Sequence, residues 1–156
     1  MAESKQYYIG VDVGGTSVKL GLFDEEGDLL GKTSVPTPSL ACGEGHAAVI
    51  SGIEQLMAGV QQPMLFVRGI GLAVPCPVPA SGVITMAANI EIDAPALKEA
   101  LEVRCPHALV RYVNDANAAT MGEVWRGSAQ GHRSMVMVTI GTGLGLSLIH
   151  ISEPTR

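Results

Sequence analysis

The chain has 156 residues and a formal net charge of −5, with 47% hydrophobic and 16% charged residues. This balance excludes a mainly disordered chain, and the acidic charge argues against a general nucleic-acid binder, which needs a basic face. Nineteen glycines without a Gly-X-Y period exclude a collagen-like chain and suit an α/β domain with tight strand-to-loop turns.

Tyr7–Val13, rich in aromatic and β-branched residues, reads as a buried strand. Gly14-Gly15-Thr16 is a turn, Ser17–Phe23 a second strand, and Leu29–Val35 a third that ends at Pro36 and Pro38. Strand, tight turn and strand in succession predict an antiparallel meander. Val49, Ile50, Ile53, Leu56, Met57 and Val60 recur at helical spacing and predict one apolar helix face. Phe66–Val74 reads as a fourth strand, where Gly69 and Gly71 suggest a backbone passing close by. Pro75–Pro79 cannot continue it. Asp93 caps a predicted helix over Ala94–Leu101, with Pro95 in its first turn. A fifth strand over Leu109–Val113, a helix over Ala116–Trp125 and a sixth strand over Met135–Ile140 complete the order. The pattern is α/β with a mixed sheet.

Three cysteines, Cys42, Cys76 and Cys105, are an odd number without a C-x-x-C pair, so neither a disulfide framework nor a zinc ribbon is expected. The short polar start, Met1–Gln6, lacks the apolar stretch of a signal peptide. The uncharged stretch Ser134–Ser152 carries Gly141, Gly143 and Gly145 and reads as strand and glycine loop rather than a membrane span. A cytoplasmic protein with no membrane or nucleic-acid partner is the expectation. His46, His107 and His132 are expected to be solvated, Trp125 to pack its helix, and Glu123 to be a surface or cap residue.

Ligands of α/β sheets gather beyond strand C-termini, and three constellations fall at predicted strand ends. The first runs from Asp12 to Lys19. Adjacent Gly14 and Gly15 expose backbone N–H groups to an anion, Thr16 adds a hydroxyl, and Asp12 offers a hard oxygen ligand for hydrated Mg²⁺. It is neither Gly-x-x-x-x-Gly-Lys-Ser/Thr nor Gly-x-Gly-x-x-Gly, and a plain hairpin turn competes with the functional reading. The second is Asn114-Asp115, where Asp115 is either a helix cap or a general base for a substrate hydroxyl. The third, Gly141-Thr142-Gly143, repeats the glycine-hydroxyl logic of the first, so that the two turns would clamp a polyphosphate. Asn89 follows an uncharged segment and is either a turn residue or a contact to sugar hydroxyls.

Together these segments resemble the ROK family of sugar kinases and sugar-responsive repressors, within the actin-like, ribonuclease-H-like ATPase superfamily. The resemblance rests on Gly10–Lys19, Pro75-Cys-Pro-Val78, Asn89-Ile90, Val113–Ala119, Gly122-Glu123 and Thr139–Gly145. It implies an actin-like ATPase lobe over 1–115 with a mixed βββαβα sheet, and the start of a truncated second lobe over 116–145. It also implies ATP-dependent phosphorylation of a hexose, most often glucose, in the intact protein. Asp115 would be the catalytic base, and Asn89 and Asn114 sugar contacts. Asp12, Gly14, Gly15, Thr16 and Lys19 would form one phosphate turn, with Mg²⁺ held by Asp12 through water. Gly141, Thr142 and Gly143 would form the other. Zinc, and the surfaces of a homodimer, belong to the C-terminal portion of such proteins. Cys76 departs from the family's usual Pro-Gly-Pro, which touches on sugar preference.

Residues 146–156 resemble no part of the family and are similar to an in-frame translation of a sequencing-library adapter, so a non-native tail is expected there. The fragment itself is expected to be inactive, and strand Met135–Ile140 to lack sheet partners and expose apolar side chains. A ROK-type transcriptional regulator is a second reading, disfavoured by only six residues before Tyr7, which leave no room for a helix-turn-helix. A non-kinase actin-like ATPase is a third.

Overall fold

The computed structural model describes residues 5–37, 39–82, 84, 90–140 and 144–150, of which 139, 140, 144, 145, 149 and 150 are described by backbone alone. Two compact units divide between Val113 and Asn114.

The first unit is built on a five-stranded sheet of order β3-β2-β1-β4-β5. Its strands are β1 (Tyr7–Val13), β2 (Ser17–Phe23), β3 (Leu29–Pro36), β4 (Val67–Val74) and β5 (Leu109–Asn114). β1 to β3 form the expected antiparallel meander, with Val13 opposite Val18 and Ser17 opposite Pro36. β4 lies parallel to β1 on its other edge, which makes the sheet mixed. Tyr7, Ile9, Val11 and Val13 are buried while Tyr8 and Asp12 between them are exposed, the period-2 alternation of a strand with one face on a core.

Helix α1 (Gly43–Gly59) packs on β2 and β3 with Val49, Ile53, Leu56 and Met57 buried. Gly52 lets it sit close: a Cβ there would stand 3.1 Å from Leu20 Cδ1. Helix α2 (Ala94–Arg104) is capped by Asp93, whose carboxylate accepts from the Ala96 N–H at 3.1 Å. It outruns the predicted end by three residues, and Arg104 there reaches Glu54 on α1.

Several expectations are corrected. Phe66 belongs to a short 3₁₀ turn over Met64–Phe66, and β4 starts at Val67; Pro63 lacks the N–H a strand needs and opens the turn instead. Gly69 and Gly71 pair with Tyr8 and Gly10 of β1, but no backbone crosses above them: a Cβ at Gly69 would stand 3.0 Å from the Tyr8 ring, and one at Gly71 would meet nothing within 4 Å. His46 is buried, with Nε2 2.8 Å from the Leu40 carbonyl, because the loop before α1 folds back over the helix start. Cys76 is buried in the hydrophobic core cluster.

The second unit holds α3 (Asp115–Arg126), β6 (Ser134–Ile140) and β7 (Leu144–His150). β6 has a partner after all: β7 runs antiparallel beside it from Ser134↔His150 to Ile140↔Leu144. The expectation of a non-native tail after Gly145 hides the Leu-Ser-Leu alternation from which β7 forms. Val136, Val138, Leu146 and Leu148 are nevertheless each more than half exposed, as expected of an uncovered face. The opposite face meets α3, where buried Thr120 bonds the Ala116 carbonyl at 2.6 Å and lies 3.3 Å from Met137 Sδ. Trp125 does not pack inward; the residue is 58% exposed, and the Arg126 guanidinium lies 5.7 Å from the centre of its ring. Glu123 caps neither end of α3, whose caps are Asn114 and Gly127; its Oε2 instead accepts from the N–H and hydroxyl of Ser128, just past the helix, at 2.9 and 3.0 Å.

Candidate functional site

The first glycine turn closes the β1–β2 hairpin. Gly14 N donates to the Ser17 carbonyl at 3.1 Å, leaving Gly15 and Thr16 at the apex. Close approach demands glycine at 14, where a Cβ would stand 2.9 Å from Ser17 O. At Gly15 a Cβ would meet nothing within 4 Å, so its bare backbone faces open space. Asp12 and Lys19 are register partners across the hairpin, both exposed. The structure therefore gathers Asp12, Gly14, Gly15, Thr16 and Lys19 around one turn, with an acid and a base on the strands flanking it rather than within it.

Thr37, which belongs to none of the sequence motifs, braces this turn. Its hydroxyl donates to the Gly14 carbonyl at 2.6 Å and its N–H to the Thr16 carbonyl at 3.0 Å. The available signal was a hydroxyl residue between two prolines at the end of the third strand.

Asn114 and Asp115 meet at the start of α3, in the second unit. Asn114 is the cap: its Oδ1 accepts from Asn117 N–H at 3.1 Å. Its Nδ2 donates to Asp115 Oδ1 at 3.0 Å, and Ala116 N–H donates to the same oxygen at 2.8 Å. Asp115 is exposed, and among the described residues its Oδ2 accepts no hydrogen bond. One carboxylate oxygen is thus tethered and the other is open to a ligand. Because Asn114 takes the capping role, Asp115 need not serve as the cap.

Asn89, Gly141, Thr142 and Gly143 lie outside the described residues. A cavity of about 360 Å³ in the first unit is lined by Ser81, Ile84, Ala94, Lys98, Arg111 and Tyr112 among others, none of them a predicted site residue. The Tyr112 hydroxyl there donates to the Ala94 carbonyl at 2.8 Å, and burial pushes its pKa up. Among the described residues no three His, Cys, Asp or Glu side chains cluster to hold a metal, and no helix is long and apolar enough to cross a membrane.

The ROK family profile matches residues 8–155. The chain belongs to the ROK family. This ROK chain is 39% identical over 142 residues to a glucokinase of Streptomyces coelicolor, covering 90% of the chain and 43% of that relative. It is 30% identical over 148 residues to an N-acetyl-D-glucosamine kinase of Citrobacter koseri, covering 94% of the chain and 47% of that relative. Its fold superposes on a ROK family glucokinase from Streptomyces griseus, solved with glucose and AMPPNP, with a TM-score of 0.77 at 32% identity. That match covers 94% of the chain and 45% of the solved structure. The ROK chain therefore spans under half the length of these relatives and shares their actin-like ATPase fold.

Proposed function

We propose that the intact protein transfers the γ-phosphoryl group of ATP to a hexose hydroxyl, with glucose giving glucose 6-phosphate. The observation that carries the reading is the Asn114-Asp115 pair. Asp115 is tethered through Oδ1 and open at Oδ2, as a general base must be to take a hydroxyl proton. In the step, the sugar oxygen bonds to the γ-phosphorus as its proton passes to Asp115 Oδ2. The bond from phosphorus to the bridging oxygen breaks, and its electron pair leaves with ADP.

Phosphoryl transfer asks little more of a protein than positioning and screened charge. The Gly14–Thr16 turn offers backbone N–H groups to phosphate oxygens, and Lys19 a mobile cation. Asp12 fits Mg²⁺, which keeps several waters and takes one or two carboxylates besides the nucleotide's own oxygens; when bound, it neutralises phosphate charge. Asn114 is assigned to the sugar, as are Asn89 and the second turn Gly141-Thr142-Gly143 to sugar and phosphate, on the resemblance of those motifs. The similarity to glucokinases at up to 39% identity supports glucose. The 156-residue chain alone is proposed to be inactive and the intact protein cytoplasmic.

A sugar panel of glucose, mannose, fructose and N-acetylglucosamine on the intact protein with ATP tests this reading. Glucose is expected to give the highest kcat/KM, and Asp115→Asn to lower kcat by about 10²–10⁴-fold with sugar binding kept. Full activity in that variant would remove Asp115 from the base role.

A further inference from the structure

We propose that Thr37 is a positioning residue of the glycine turn, holding two carbonyls on one side so that two amides face a nucleotide phosphate on the other. The inference rests on the reading of that turn as a phosphate site.

Thr37 follows β3 directly. Pro36 is the register partner of Ser17 but has no N–H to give. Thr37 supplies the donor one residue later, to Thr16 O at 3.0 Å, and adds a short hydroxyl bond to Gly14 O at 2.6 Å. Among the described residues no peptide bond is cis. In a planar trans peptide the C=O and the following N–H point in opposite directions. Gly14 C=O and Thr16 C=O converge on Thr37, so Gly15 N–H and Ser17 N–H point away from it. Two N–H groups kept off the Thr37 side in this way are left for phosphate oxygens rather than for the brace. A Cβ at Gly15 would meet nothing within 4 Å, so no neighbouring group crowds the apex of the turn at that position.

The hydroxyl matters because of what flanks it. The Gly14–Gly15 peptide has no side chain on either side and little steric resistance to flipping. A flip would aim the Gly14 carbonyl, rather than the Gly15 amide, at the phosphate. The Thr37 hydroxyl supplies the restraint that a side chain would otherwise give. Thr37 itself is half-buried and touches the turn only from behind, so it is not a catalytic residue.

The test uses the ¹⁵N-labelled 156-residue chain titrated with Mg·ATP and with inorganic tripolyphosphate, following the Gly15 and Ser17 amide signals. In the unaltered chain both signals are expected to shift saturably. Thr37→Val keeps the backbone donor and loses the hydroxyl; it is expected to raise Kd about tenfold for both probes. Thr37→Ser, which restores the hydroxyl, is expected to return Kd to within about threefold. In the intact protein the valine variant should raise KM for ATP and leave KM for sugar unmoved, a split that general loosening of the fold would not produce. If valine disturbs signals beyond the turn, Thr37→Ala takes its place. Equal Kd for the unaltered and hydroxyl-less chains would overturn the role of Thr37 while leaving the turn a phosphate site. Unmoved Gly15 and Ser17 signals in the unaltered chain would overturn both.

Discussion

His46 sits in the first turn of α1, yet it is buried and bonds the Leu40 carbonyl. Asp93 N–H donates to the same carbonyl at 3.0 Å, so His46→Phe would keep the apolar contacts and leave that acceptor with one bond. The expected cost is about 0.5–1.5 kcal/mol, the net worth of a single hydrogen bond, read by urea unfolding. The histidine was illegible because burial there depends on residues 39–42 folding back, and Cys42 at the helix start makes no side-chain cap that would mark the boundary. Glu123 gives a second prediction. The Ser128 N–H and then its hydroxyl donate to the carboxylate and hold its pKa below the ordinary value. A group lowered on folding contributes stability that is fully present above its unfolded pKa, near 4.5, and lost as pH falls through the folded value. Glu123→Gln should flatten the acid limb of the melting temperature below that pH and leave the neutral range nearly flat. An unchanged acid limb would place the pH dependence elsewhere.

Between elements, two contacts of similar appearance differ in worth. Arg104 on α2 bonds Glu54 on α1 through Nε at 2.7 Å, but both side chains are nearly half exposed. Solvent screening limits such a pair to about 0–1 kcal/mol, so Arg104→Ala should shift the urea midpoint little. Gly45 on the same helix is different. A Cβ there would run into the Ser39 carbonyl oxygen and stand 2.8 Å from its carbon, and backbone cannot step aside as a flexible side chain can. Gly45→Ala should cost several times more than Arg104→Ala, in the range of about 1–3 kcal/mol for overpacking. The element plan was largely legible. β1 and β2 match their predicted bounds because period-2 alternation stops at a glycine turn on one side and an acidic turn on the other. Phe66 was misplaced because an aromatic residue beside a β-branched run reads as strand even inside a 3₁₀ turn. β7 is not expected from the sequence because residues 146–156 read as a non-native tail; in the structure Ser147 is its inward residue, bonded to Asn117, and Leu146 and Leu148 lie outside. At the site, Asp115 was legible from strand-end placement. Its tether was not, since that depends on which of two neighbours takes the cap.

At the scale of the whole chain, Val136 faces Leu148 and Val138 faces Leu146 across the β6–β7 ladder, and these four make one exposed apolar patch of the kind that drives association. Leu146→Thr with Leu148→Lys should raise the concentration at which light scattering sets in, while circular dichroism stays unchanged. A foreign origin of residues 146–156 is proposed on their sequence alone, and the ROK family match runs across them to residue 155. Sequencing the locus past the codon for Gly145 is expected to give different codons; the same tail followed by a stop would refute it. The strand order β3-β2-β1-β4-β5 has a consequence in time. The β1–β2–β3 meander is complete once Pro36 has left the ribosome, but the partner for the other edge of β1 ends only at Val74. At roughly 5–20 residues per second, that edge waits about 2–8 s for β4. During those seconds the nascent chain carries an unsatisfied β-edge next to its glycine turn, a template for a neighbouring nascent copy. The interval from Pro36 to Val74 is where a holding chaperone would improve yield most.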